Sequence, residues 1–154
     1  MSGKKKKGDV LDQLTLASRV LRTALSVRLA ADGLHPGQDA ALLAIAEQEG
    51  IALRDLAERL SVRPPTVTKT ITRLAAQGLV EKKVASGENR HNTVRLTERG
   101  SALVVEVRKA RGEAERVALA GLSGKQRKTL RKLLRRVSRN LQATGLEPAD
   151  ETPE

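Results

Sequence analysis

The sequence predicts a mainly α chain with one small β-hairpin, and three observations point there. Apolar residues recur every three or four positions over most of the 154 residues, which is the helical period. That spacing gives way once, between Val80 and Leu96, to simple alternation, the period of a strand. The apolar 39% contains no Phe, Trp, Tyr or Cys, so the core must be aliphatic, and disulfides and thiolate metal sites are excluded.

Each element has a local cause. Asp9 caps a first helix running to about residue 32, with Val10, Leu14, Ala17, Leu21, Leu25 and Leu29 as one apolar stripe and Gly33 as its stop. Pro36 stands where a second helix has its first residue; Leu42, Leu43, Ile45 and Ala46 are its buried face, and Gly50 ends it. A short third helix covers Leu53–Leu60 and buries Leu56, Ala57 and Leu60. After the turn Ser61-Val62, Pro64 opens a fourth helix with Val67, Ile71 and Leu74 inside and Gly78 at its end. Val80, Lys82 and Val84 alternate, as do Val94 and Leu96, around the polar tip Ser86-Gly87-Glu88-Asn89. Thr97 caps a fifth helix to about Ala120. Ser123 with Gln126 forms a capping box for a sixth, whose stripe is Leu130, Leu133, Leu134, Val137 and Leu141, and Gly145 closes it.

A short helix, a tight turn, a second helix and a hairpin make a winged helix-turn-helix, here flanked by N- and C-terminal helices whose apolar stripes need a partner. The chain therefore divides into a disordered basic arm at 1–8, an N-terminal dimerisation helix at 9–33, a winged helix-turn-helix DNA-binding domain at 34–100, C-terminal dimerisation helices at 101–145 and a disordered acidic tail at 146–154. Leu14 and Leu21 in the first helix, with Leu133, Leu134 and Val137 in the sixth, are the expected dimer contacts.

Charge names the partner class. The net charge is +11, and it is uneven: residues 1–51 carry seven bases and six acids, 52–100 ten and five, 101–154 twelve and seven. Such a balance points to a polyanion, double-stranded DNA before an anionic membrane. Without aromatics, the stacking platforms of single-strand or RNA recognition are missing. On the fourth helix, Val67, Ile71 and Leu74 lie within about 40° of one direction at 100° per residue. Pro65, Thr66, Thr68, Lys69, Thr72 and Arg73 occupy the other half, and no acid occurs from Leu60 to Val80. Threonine can read bases, while Lys and Arg bind phosphate or guanine edges. Arg63, at the N-cap position, opposes the helix dipole, a cost of up to about 1 kcal/mol that a bound phosphate would offset. The sixth helix also has a basic face, with Arg127, Lys128, Arg131, Arg135 and Arg139, which reads as solvated, with partial contact to flanking DNA as the alternative.

These residues resemble the MarR family of transcription regulators. The matching stretches are Leu34-His35-Pro36-Gly37-Gln38, Asp55-Leu56-Ala57-Glu58-Arg59-Leu60, Thr66-Val67-Thr68-Lys69, Arg73-Leu74-Ala75-Ala76-Gln77-Gly78-Leu79-Val80-Glu81-Lys82 and Val94-Arg95-Leu96-Thr97-Glu98-Arg99-Gly100. With the flanking helices, the resemblance covers roughly residues 10–144. It implies a homodimer on a palindromic operator, a repressor released by a small-molecule effector, and Arg90 in the minor groove with Glu88 to orient it. The sequence departs from the family pattern in three places. The wing reads Glu88-Asn89-Arg90 in place of Asp-X-Arg. Ala52 and Arg63 stand at helix starts where Ser or Thr is frequent, losing a side-chain cap worth about 1 kcal/mol. The absence of aromatics and cysteine removes an aromatic-lined effector pocket and thiol peroxide sensing; an effector pocket walled by aliphatics and floored by arginines would favour an anionic ligand.

Rival classes fare worse. His35 and His91 are the only histidines, and no phosphate loop or nucleophile motif is present, so we expect no enzyme, no catalytic or metal site and no cofactor. A membrane-surface role rests on Lys4–Lys7 alone, and no apolar run nears the roughly 20 residues that span a bilayer. The expected location is cytoplasmic. The remaining alternative is a nucleoid-type architectural protein that uses the same fold with little sequence preference.

Overall fold

In the computed structural model, which describes residues 9–84 and 91–145, the element order is α1 (Val10–Ala30), α2 (Gln38–Glu47), β1 (Ile51–Ala52), α3 (Leu53–Leu60), α4 (Pro64–Ala76), β2 (Val80–Val84), β3 (Asn92–Leu96), α5 (Glu98–Ala118) and α6 (Gly124–Gln142). Caps account for most boundaries. Asp9 accepts the Leu11 N–H, Thr97 accepts the Gly100 N–H, and Ser123 and Gln126 complete a reciprocal capping box. The expected basic arm at 1–8, the acidic tail at 146–154 and the wing tip at 85–90 lie outside the described residues.

Among the boundaries that differ from the sequence reading, which include the end of α5 at Ala118 in place of Ala120, two have a clear local cause. α1 stops at Ala30, where Gly33 N–H and Leu34 N–H fold back onto the Ala30 and Leu29 carbonyls (3.0 and 3.2 Å). α2 begins at Gln38, not at Pro36, because the chain first turns through Gly37 at φ +90°, a left-handed conformation suited to glycine. Gln38 closes that turn: its N–H donates to the His35 carbonyl (3.1 Å), and its side-chain oxygen accepts the His35 N–H (2.9 Å).

The sheet has three strands in the order β1-β3-β2, all antiparallel. β2 and β3 pair from Val80↔Leu96 to Val84↔Asn92, and β1 adds Ile51↔Val94 and Ala52↔Thr93. β1 is absent from the sequence reading because two residues carry no period; its place is set by Val94, far along the chain. The core sits among α2, α3, α4, α5 and the sheet base, with Leu42, Ile45, Ile51, Leu56, Val67, Ile71, Leu74, Val94 and Val107 inside; Leu43, Ala46 and Leu60 are only half-buried against it. Leu29 and the half-buried Leu25 join α1 to this core, so the C-terminal half of the α1 stripe faces its own chain.

The end of α4 is locked to the start of α5 at the base of the wing. The Leu79 carbonyl accepts the Thr97 N–H (3.0 Å), and the Thr97 hydroxyl donates to the Gly78 carbonyl (2.7 Å). Gly100 packs so closely here that a Cβ would lie 2.0 Å from the Leu79 oxygen.

Candidate nucleic-acid interface

The turn before α4 is set by backbone geometry. Ser61, the C-cap of α3, is left-handed at φ +52°, the one non-glycine with positive φ among the described residues. Its N–H bonds back to Glu58 (3.1 Å), and the Val62 N–H reaches Ala57 (3.1 Å). Arg63 supplies no side-chain cap to α4, as the sequence indicates. The loss is small for a local reason: Pro64 and Pro65 have no N–H to satisfy. The Arg63 carbonyl accepts the next two donors, Thr66 (3.0 Å) and Val67 (3.3 Å). Ala52 likewise caps α3 without a side-chain bond and is held instead by its pairing with Thr93.

On α4, Val67, Ile71 and Leu74 are buried, while Pro65, Thr68, Lys69, Thr72 and Arg73 are exposed and Arg63 and Thr66 half-buried. The two exposed threonines are chemically specific. Thr68 donates its hydroxyl to the Pro64 carbonyl (3.1 Å), and Thr72 donates to the Thr68 carbonyl (2.8 Å). Both hydroxyl protons are thus committed to the helix backbone four residues earlier. What remains for a ligand at each is the methyl and the two lone pairs of the oxygen.

At Thr72 one of those lone pairs is taken as well. The Lys82 ammonium, from β2, donates to Thr72 Oγ1 at 3.0 Å. The structure therefore gathers Lys69, Thr72 and Arg73 of α4 with a cation from the wing. The sequence reading places Lys82 in the strand and gives it no role. Its signal is available there: a cation occupies an otherwise apolar alternation with Val80 and Val84, a position from which the long stem must carry its charge to a polar site. Glu81, the nearest strand acid, faces Arg95 across the sheet (3.6 Å). Glu88 and Arg90 lie outside the described residues.

Two adjacent buried polar residues anchor this unit. Gln38 donates from its amide to Gln77 Oε1 (3.3 Å), and Gln77 donates to the Gly33 carbonyl (3.0 Å), tying the end of α4 to the α1–α2 turn. Asp39 accepts from Arg111 of α5 (2.9 Å) and is almost fully buried. Buried polar groups need such partners, and each of these has one.

The flanking helices show large uncovered apolar faces. α6 has no buried residue; Leu133 and Leu134 are 53% and 41% exposed, and Leu130, Val137 and Leu141 are exposed beside them. On α1, Leu21 is exposed and Leu14 half-buried. A second α1 stripe, Leu16, Val20 and Val27, is more exposed than the first. The sequence reading missed it, although its spacings of four and seven residues mark one helix face.

A cleft of about 290 Å³ between α2, β3 and α5 is lined by residues that include Leu96, Val104, Glu49 and Arg108, which puts both charge signs at its walls. His35 is exposed and engages through its backbone, and His91 is exposed. Among the described residues there is no group of three His, Asp or Glu placed to hold a metal ion, and no helix long and apolar enough to cross a membrane.

Comparison with known proteins places this geometry. A family model described as MarR family matches residues 32–90. An uncharacterized HTH-type transcriptional regulator of Mycobacterium bovis is 33% identical over 118 residues, covering 77% of this chain and 82% of that one. Another, from Bacillus subtilis, is 27% identical over 134 residues, 87% of this chain and 89% of the relative. Among solved structures, one described as a MarR family transcriptional regulator from Listeria monocytogenes, complexed with 26mer DNA, superposes with a TM-score of 0.81 at 25% identity, over 86% of this chain and 89% of that chain.

Proposed function

The chain belongs to the MarR family of transcriptional regulators, and from that premise we propose that it is a homodimeric repressor that reads an inverted-repeat operator with α4. The observation that carries this reading is the outer face of α4, where Lys69, Arg73 and Lys82 gather around two threonines and no acid intervenes. Its dimensions suit a major groove, which admits one α-helix. The family resemblance assigns Arg90, with Glu88, to the adjacent minor groove. Arg63, Pro65 and Thr66 sit at the helix start, where backbone phosphate is met.

The uncovered stripes of α1 and α6 support the dimer, since one chain leaves these aliphatics in water. Two-fold symmetry then presents two α4 helices to half-sites about one helical turn apart, roughly 10 base pairs centre to centre. Release by a small anionic effector completes the proposal and rests on the family resemblance.

The test is selection of bound duplexes from a random pool, followed by footprinting. An inverted repeat with discrete protection is the expected result. Charge reversal at Lys69 and Arg73 should erase it while the far-ultraviolet circular dichroism stays helical. Uniform coating without a preferred sequence would replace this reading with the architectural one.

A further inference from the structure

We propose that the outer face of α6 is a second, sequence-independent surface for duplex DNA. This rests on the reading of α4 as the DNA-reading helix but uses none of its residues. α6 carries eight cations and no acid, and the chain has no acid from Arg116 to Leu146. One cation is spent structurally: Arg127 donates to the Leu119 and Leu122 carbonyls (both 3.1 Å), fixing the α5–α6 corner. The other seven, Lys125, Lys128, Arg131, Lys132, Arg135, Arg136 and Arg139, are exposed and have no ion-pair partner among the described residues.

Their arrangement is not that of an ordinary solvated face. At 100° per residue they fall between about 100° and 240° from Leu130, opposite the leucine stripe. Whatever covers the leucines leaves the cations outward. Four like-charged pairs stand four residues apart, from Lys128–Lys132 to Arg135–Arg139, and each opposes helix formation. Lys125 and Lys128 also crowd the positive end of the helix dipole. By contrast α5 mixes Glu98, Glu106, Glu113 and Glu115 with its five bases. An external anion would relieve the repulsion in α6 that no acid of the helix relieves.

Shape selects the anion. The seven charges lie along one helix over about 21 Å at 1.5 Å per residue, beside a wide, open groove of about 810 Å³ that runs past Lys128, Arg131, Lys132, Arg135 and Arg139. A small molecule needs donors that converge, whereas a rod suits a linear polyanion such as duplex DNA, with one charge per roughly 1.7 Å. Position favours the same ligand that α4 binds. Gln142, at the end of α6, donates to the Ser61 hydroxyl oxygen (3.1 Å), in the turn that leads to Arg63 and α4. The basic row therefore starts beside the helix-turn-helix and runs away from it.

The test is a variant with Arg131→Gln, Lys132→Gln, Arg135→Gln and Arg139→Gln, checked for helicity and assembly by circular dichroism and sedimentation. Affinity is measured against salt on a selected site within a long duplex, and on generic duplex of equal length. We expect at least a tenfold loss on generic duplex, a log–log salt slope shallower by about 2 or more, at about 0.9 per phosphate contact, and an unchanged consensus. Unchanged affinity and slope would overturn the proposal and assign the stripe to another anion, such as the acidic run at 147–154. Variant-sensitive binding to phosphatidylserine vesicles with unchanged DNA affinity would overturn it too. The Lys69→Glu, Arg73→Glu protein separates the two readings: it should lose the consensus and keep the α6-dependent slope. A parent protein without any consensus would sink the α4 reading alone.

Discussion

Replacing Leu133 and Leu134 together by alanine gives the most direct measure of the proposed dimer. In one chain these side chains are 53% and 41% exposed, so a partner has close to one whole leucine left to cover. Full burial of a leucine is worth about 1.5–3 kcal/mol. Two-fold symmetry repeats the loss, and alanine keeps its Cβ, which leaves about 2–5 kcal/mol per dimer. At 1.4 kcal/mol per factor of ten, the dimer dissociation constant should rise roughly thirty- to several-thousand-fold. Sedimentation equilibrium reads it directly. Alanine favours the helix, so α6 should not unwind, and circular dichroism checks that it does not. Val84→Ala, an exposed valine on the wing, serves as the control and should leave the constant alone. A double variant that dimerises like its parent would refute the argument and place the interface elsewhere, with the Leu16, Val20 and Val27 stripe as the next surface to test.

Gly100→Ala should cost about 1–3 kcal/mol, the scale of overpacking, because its Cβ would meet a backbone carbonyl; the shift in urea midpoint measures it. Thr72→Val keeps a methyl at this exposed position and Thr72→Ser removes it. Replacing one operator thymine by deoxyuridine should therefore weaken the parent and the valine variant roughly fourfold, for about 0.8 kcal/mol per buried methyl, and leave the serine variant unmoved; a serine variant as sensitive as its parent would remove the methyl from recognition. Arg90→Ala should weaken operator binding by about 1–3 kcal/mol, measured by titration at fixed salt, and equal affinities would remove the wing from the mechanism.

Those parts of the fold with local causes were legible in the sequence. Thr97 and Ser123 cap where their side-chain chemistry demands, and α3 spans Leu53–Leu60 between an apolar start and the Ser61 turn. The buried row Val67, Ile71 and Leu74 follows from spacing alone. What escaped was non-local or too short to show a period. β1 exists because Val94 pairs with Ile51, and α2 starts late because Gln38 folds back on His35. At the candidate site, the outward positions of α4 were legible by angle, but the state of their hydroxyls was not. Lys82 reaches Thr72 only once β2 folds back along α4, a proximity that no spacing rule contains.

Gln38 and Asp39 have a mechanical consequence. Consecutive helical residues diverge by about 100°, so the first turn of α2 grips two different helices at once, α4 through Gln77 and α5 through Arg111. Gln38 donates one grip and Asp39 accepts the other, and neither buried side chain can slide without stranding a polar group. The helix proposed to read DNA and the helix that leads to α6 are thereby tied to the same turn of α2. If the proposed dimer forms, a change in the tilt of α5 would be expected to reach α4 as rotation about α2, and two such gears, related by the dyad, would convert a small twist between subunits into a change in the distance between their reading heads.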